Sequence, residues 1–167
     1  MPEKRTIEKA QKAKRAGKSP MTQAGEFVRE EIHDIRHGKH GAKSPEQAIA
    51  IGLSKARRAG VALPPPRKGK VSERTRKSAE YAYEAGQHMR KTKRQPRVSR
   101  AVAGILKKEP RSTVSHEALS KHAKRAAAKR PRGERSTAAL KAVRTKGFAL
   151  RSAAARKAAR TRARRRR

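Results

Sequence analysis

The sequence predicts a mainly α protein: a small N-terminal helical hairpin followed by a largely disordered or conditionally helical basic tail. Three observations carry that reading. Two stretches in the first third space their apolar residues at intervals of three and four, the period of one helix face. Aromatic residues make up only 2% of the 167 residues, and alanine supplies much of the apolar fraction; alanine favours helix but adds little area to a core. The third is a net charge of +35, which opposes compaction by self-repulsion. That charge climbs along the chain, from +7 over residues 1–62 to +11 over 63–111 and +17 over 112–167.

Residues 3–16 are charged and alanine-rich, compatible with a helix but with Ile7 as the one large apolar residue. Gly17 ends the segment, and Ser19-Pro20 supplies a cap followed by proline at the first helical position. Met21, Ala24, Phe27, Val28, Ile32 and Ile35 then form one stripe. Glu26, Glu30 and Glu31 precede Arg36 and His37, an order that suits the helix dipole, and Gly38 follows. The pattern predicts a helix over 20–37.

After the turn HGKHGAK, the run Ser44-Pro45-Glu46-Gln47 reads as a capping box, with Gln47 reaching back to the cap. Ala48, Ile49, Gly52, Leu53 and Ala56 make the next stripe, and Gly60 stops it. Neither apolar side is stable in water alone and the connection is short, so 45–59 is expected to pack on 20–37 as an α-hairpin. The packing residues are then Phe27, Val28, Ile32, Ile35, Ile49 and Leu53. Gly52 would let the two helices approach closely. Two helices make a thin core, so help from residues 3–16 or a homodimer is expected.

LPPPRKGK, residues 63–70, reads as a proline-stiffened linker. It divides a head module, 1–62, from a basic Ala/Lys/Arg-rich tail, 71–167. Within the tail a helix is expected from Ser72 to about Met89. After a basic linker over 90–97, shorter helical segments follow near 99–108, 115–130, 136–146 and 149–164, separated by Pro96, Pro110, Pro131 and Gly147. Isolated helices of this kind are marginal in water, hence the expectation of disorder that a polyanion would relieve.

The stretch SPEQAIAIGLSKA, residues 44–56, resembles the SPKQAIAIGLSEAR signature of a family of small basic proteins of bacteria and their phages. The likeness extends over residues 1–66, through MPEKRTIE, TQAGEFVREEI, the GKHGA turn and the PPP segment. SHEALSKHAKRAAAKR, residues 115–130, is similar to a piece of such tails. The resemblance implies a bacterial protein and no particular chemistry. By composition the tail also looks like linker-histone and bacterial histone-like tails.

Function is read mainly from charge. Lysine and arginine neutralise phosphates and release counterions, which gives affinity without sequence reading. The residues expected to carry it are Arg125, Lys129, Arg130, Arg132, Arg156, Lys157, Arg160, Arg162, Arg164, Arg165, Arg166 and Arg167. Single-strand RNA readers generally offer aromatic platforms; Tyr81 and Tyr83 are two apart on a helix and point in different directions. Duplex DNA is therefore the expected partner and structured RNA the alternative, in a nucleoid-associated, cytoplasmic protein. A third reading makes the head a protein-docking module that the tail localises. If the head itself held nucleic acid, Arg57 and Arg58 would be the residues to test.

Other chemistry is poorly represented. Glu30 and His33 have the Glu-x-x-His spacing of di-iron bundles, and His37, His40 and Asp34 lie nearby, but no second copy of the motif follows. Histidines in a last turn suit the dipole without a metal. No cysteine is present, so disulfides and thiolate metal sites are excluded. There is no phosphate loop, nucleophile elbow or paired-carboxylate pattern, and no apolar run of membrane-spanning length. The expectation is a non-enzymatic protein without cofactor or metal.

Overall fold

A computed structural model describes residues 2–93 and 95–165, the side chains of Lys146 and Arg165 excepted. The described residues form seven α-helices and a short 3-10 turn: α1 (Lys4–Arg15), α2 (Pro20–Arg36), α3 (Pro45–Arg58), α4 (Glu73–Gly86), α5 (Pro96–Lys108), the 3-10 turn Ser112–Val114, α6 (His116–Ala128) and α7 (Arg132–Arg165). The chain divides into two compact units, Met1–Ser120 and Lys121–Arg167.

The expected hairpin is the centre of the first unit. Ser19 caps α2, its Oγ accepting from the Thr22 N–H at 3.4 Å, and Ser44 caps α3 by accepting from the Gln47 N–H at 3.2 Å. Gln47 does reach back, but its Oε1 accepts from the N–H of Lys43 at 2.6 Å rather than from that of Ser44. The two helices cross where a Cβ on Gly52 would lie 2.7 Å from Val28 Cα, so glycine is what allows this approach. Phe27 and Ile35 are fully buried and Val28, Ile32, Ile49 and Leu53 half-buried.

Two apolar clusters straddle the hairpin. In one, Phe27, Ala24 and Ala56 pack with Ala10 of α1 and with Val61 and Leu63, joined by Ile7 and Leu53. In the other, Ile35 and Ala48 pack with Ala42 and with Val114 of the 3-10 turn, joined by Ile32. The help expected from residues 3–16 is thus supplied by α1, and a return of the chain at 106–114 seals the opposite end. There Gly41 N–H donates to Leu106 O at 2.7 Å, Thr113 Oγ1 to Ala42 O at 2.9 Å and Arg36 Nε to Val114 O at 2.9 Å.

The proline-rich segment lies inside this unit. Arg57 is buried and anchors it, donating from Nε to Leu63 O at 3.1 Å and from Nη2 to Pro64 O at 3.3 Å. Beyond it, α4 starts on its Ser72 cap and buries Ala79, Ala82 and Gly86. It ends at Gly86, three residues short of the expected stop, where Gln87 Nε2 donates to Gly60 O at 3.3 Å. The compact unit accordingly runs to Ser120.

The second unit corrects the expectation of a largely disordered tail. α6 and α7 are helical, and α5 before them likewise. The reason is intrinsic propensity: 22 of the 34 residues of α7 are Ala, Arg or Lys, all at the favourable end of the helix scale. Each like-charge pair four residues apart costs only about 0.2–0.5 kcal/mol. Summed over the segment, propensity therefore outweighs self-repulsion. Gly147 breaks α7 with φ 64° and ψ 171°, at the point where the sequence separates 136–146 from 149–164.

Candidate nucleic-acid interface

Lys121–Arg167 carries 19 Lys and Arg against one carboxylate, Glu134. None of the residues whose exposure is described between Lys121 and Arg164 is buried. The described side chains of this segment therefore present their charge to solvent from a regular scaffold rather than from a packed core.

Ten of the twelve expected cations lie among the described residues. Arg125 is in the last turn of α6, and Lys129 and Arg130 continue it, their N–H groups donating to Arg125 O and Ala127 O at 3.2 Å each. Arg132 opens α7 after Pro131. Arg156, Lys157, Arg160, Arg162 and Arg164 are exposed on the part of α7 beyond Gly147. Arg165 is the last residue of α7, and Arg166 and Arg167 lie outside the described residues.

At 100° per residue Arg156, Lys157, Arg160 and Arg164 fall on one face, while Arg162 shares the opposite face with Arg151. The four span about 12 Å of helix axis, against one duplex charge per roughly 1.7 Å. Arg151, together with Lys141 and Arg144 before the break, is an exposed cation that the sequence reading left out. The signal was available, because charge density alone does not stop at Arg156. The two helical stretches of α7 on either side of Gly147 turn cations to several sides, which suits a polyanion that can be approached in many registers.

The head is electrostatically different. Glu31 is fully buried, with Lys55 Nζ 2.6 Å from Oε2 and His40 Nε2 3.4 Å from Oε1. Asp34 holds Lys39 at 2.6 Å, and Lys39 also reaches Glu3 at 3.2 Å. Hydrogen bonds from Asp34 first and Glu3 second raise the Lys39 pKa above its ordinary 10.5. These lysines are committed to carboxylates inside the fold. Arg57 is committed too: it points inward to carbonyls, and burial pushes its pKa below the ordinary guanidinium value. Only Arg58 of that pair is exposed.

Other features offer little chemistry. The His33 and His37 rings stack at 4.0 Å, and no group of three or more His, Asp or Glu among the described residues is placed to hold a metal ion. A cavity of about 900 Å3 within the first unit is lined by Ile51, Val102 and Leu106 among others, with Arg58 at its edge. Tyr81 lies beneath Arg90, whose guanidinium carbon is 5.1 Å from the ring centre, so that ring is covered on one face. No helix among the described residues is long and apolar enough to cross a membrane.

The fold and charge define a small, all-helical, strongly basic protein. A family of unknown function (DUF6496) matches residues 11–68, a span covering the end of α1, the α2–α3 hairpin and the proline-rich segment that Arg57 anchors. No curated protein and no solved structure matches the chain.

Proposed function

We propose that this chain is a sequence-nonspecific, nucleoid-associated DNA-binding protein that works by phosphate neutralisation and catalyses no reaction. The single observation that carries the reading is the exposed, helical polycation of Lys121–Arg165, in which Glu134 is the one carboxylate. Its 17 cations less one anion correspond to about 27 Å of duplex, or roughly eight base pairs. Most carboxylates lie in the first unit, and several there are paired with lysine, so the two parts divide the work: one folds, the other binds.

The test is a salt titration of binding by the full chain, followed by fluorescence anisotropy against duplex DNA and structured RNA of equal length. A steep fall of log K with log salt is expected on DNA. Replacing Arg156, Lys157, Arg160 and Arg164 with glutamine is expected to flatten that slope by about 3 to 4, near 0.9 per lost phosphate contact. An unchanged slope places the interface elsewhere. Tighter binding to RNA at every salt concentration makes the protein RNA-associated instead.

A further inference from the structure

Between Lys121 and Arg165 every Leu, Val, Ile, Met, Phe and Tyr falls within the eleven residues from Leu140 to Leu150. They are Leu140, Val143, Phe148 and Leu150, and all four are exposed, Phe148 at 82%. Everything apolar on either side of them in α7 is alanine. The cluster surrounds the break in α7: Gly147 has φ 64° and ψ 171°, and a Cβ there would meet nothing within 4 Å. The glycine is thus needed for backbone conformation rather than for packing. It ends one cationic helix and starts the next, with Phe148 as the first residue after the break. Arg144, four residues before Phe148, and Arg151, three residues after it, are both exposed.

A membrane surface would want one continuous face of large apolar residues. Leu140 and Val143 do lie one turn apart, but Phe148 and Leu150 are two residues apart, about 200° round the helix. From Ser152 to Arg164 the only apolar residue type is alanine. The arrangement is a single aromatic projection in a cationic setting. Architectural DNA-binding proteins use apolar side chains of this kind to unstack a base step, with arginine holding the backbone nearby.

We propose that Phe148 is a wedge that enters duplex DNA between adjacent base pairs and kinks it, while Arg144 and Arg151 hold the phosphates on either side. The proposal rests on the reading of this segment as the DNA-binding element, and adds that binding deforms the duplex. Burial of the ring against the parted bases offsets the cost of unstacking them. Gly147 sets the direction from which the ring enters.

The experiment uses the full chain with a duplex labelled at both ends for energy transfer and carrying 2-aminopurine at a central, readily unstacked pyrimidine–purine step. The native chain is expected to bring the ends closer and to raise 2-aminopurine fluorescence. Phe148→Ala should lose both signals while keeping the salt slope of affinity, because no cation is removed and the exposed ring supports no core. Phe148→Trp should restore them. Gly147→Ala, which favours a continuous helix, should weaken both with the ring still present. If the native chain and Phe148→Ala bind with equal salt slopes and equal bend and unstacking signals, the wedge is overturned and phosphate neutralisation stands. If the native chain does not bind duplex in a salt-dependent manner, the DNA reading falls and the wedge with it. Tighter binding of Phe148→Trp to phosphatidylglycerol vesicles than to duplex overturns the wedge in favour of a membrane surface.

Discussion

Glu31 and Lys55 join α2 to α3 through a 2.6 Å ion pair whose carboxylate has no solvent exposure. Removing one partner of such a pair leaves a buried charge uncompensated. Lys55→Met is therefore expected to lower stability by about 3–5 kcal/mol, read as a shift in the urea midpoint. Glu31→Gln combined with Lys55→Met should recover most of the loss. A pair of glycines offers an opposite-sign test on the same hairpin. Gly52→Ala drives a methyl against the Val28 backbone and should cost about 1–3 kcal/mol. Gly25→Ala sits in α2 with nothing within 4 Å of the added carbon and should stabilise by about 0.5–1 kcal/mol. Equal effects at the two positions would mean that the helices do not cross at Gly52. Both glycines fall in helical patterns, and only the crossing point distinguishes them.

At the scale of elements, the starts of α2, α3 and α4 are written in serine: Ser19, Ser44 and Ser72 each accept the N–H three residues on. Ser44→Ala should cost about 1 kcal/mol in chemical denaturation. The ion pairs at helix ends add a pH dependence of known sign. Arg76, donating to Glu73 from Nη2 at 2.7 Å, holds that carboxyl below its ordinary 4.5. Its contribution is present above pH 4.5 and is lost as pH falls through the lowered value. Lys39 is raised above 10.5 by Asp34 and Glu3, so its contribution is complete below pH 10.5 and is lost as pH rises through the raised value. Urea midpoints measured across pH should therefore fall at both extremes. Arg76→Gln should blunt the acid side and Asp34→Asn the alkaline side. If neither variant changes its limb, these pairs do not hold in solution. For α7 the sequence contained both the helix-forming composition and the break at Gly147, and propensity outweighs charge repulsion there.

For the whole molecule, the buried apolar residues run from Ala10 to Val114 among those described, so no part of the apolar core depends on Lys121–Arg167. Deleting that segment removes 19 of 48 Lys and Arg and one of 13 carboxylates. The remaining chain should keep a cooperative thermal transition with Tm changed by less than about 5 °C, followed by far-UV circular dichroism, while losing most of its salt-dependent DNA affinity. A collapse of the transition would show that the cationic segment supports the fold.

Local information settled a good deal here. Apolar spacing placed α2 and α3, serine and proline marked their starts, Gly147 divided α7, and the rise in charge along the chain pointed to the segment now proposed to bind DNA. These features depend on residues within a turn or two of one another, which is why a linear reading reaches them. Tertiary structure decided what depends on distant chain segments meeting. Val114 closes the hairpin from nearly eighty residues beyond Ile35, and Leu63 joins the Phe27 cluster from what reads as a linker. Arg57 turns inward because two carbonyls after the helix accept its guanidinium. Whether a charged side chain is a solvated contact or a buried clasp depends on what the fold brings beside it, and no periodicity in the sequence encodes that.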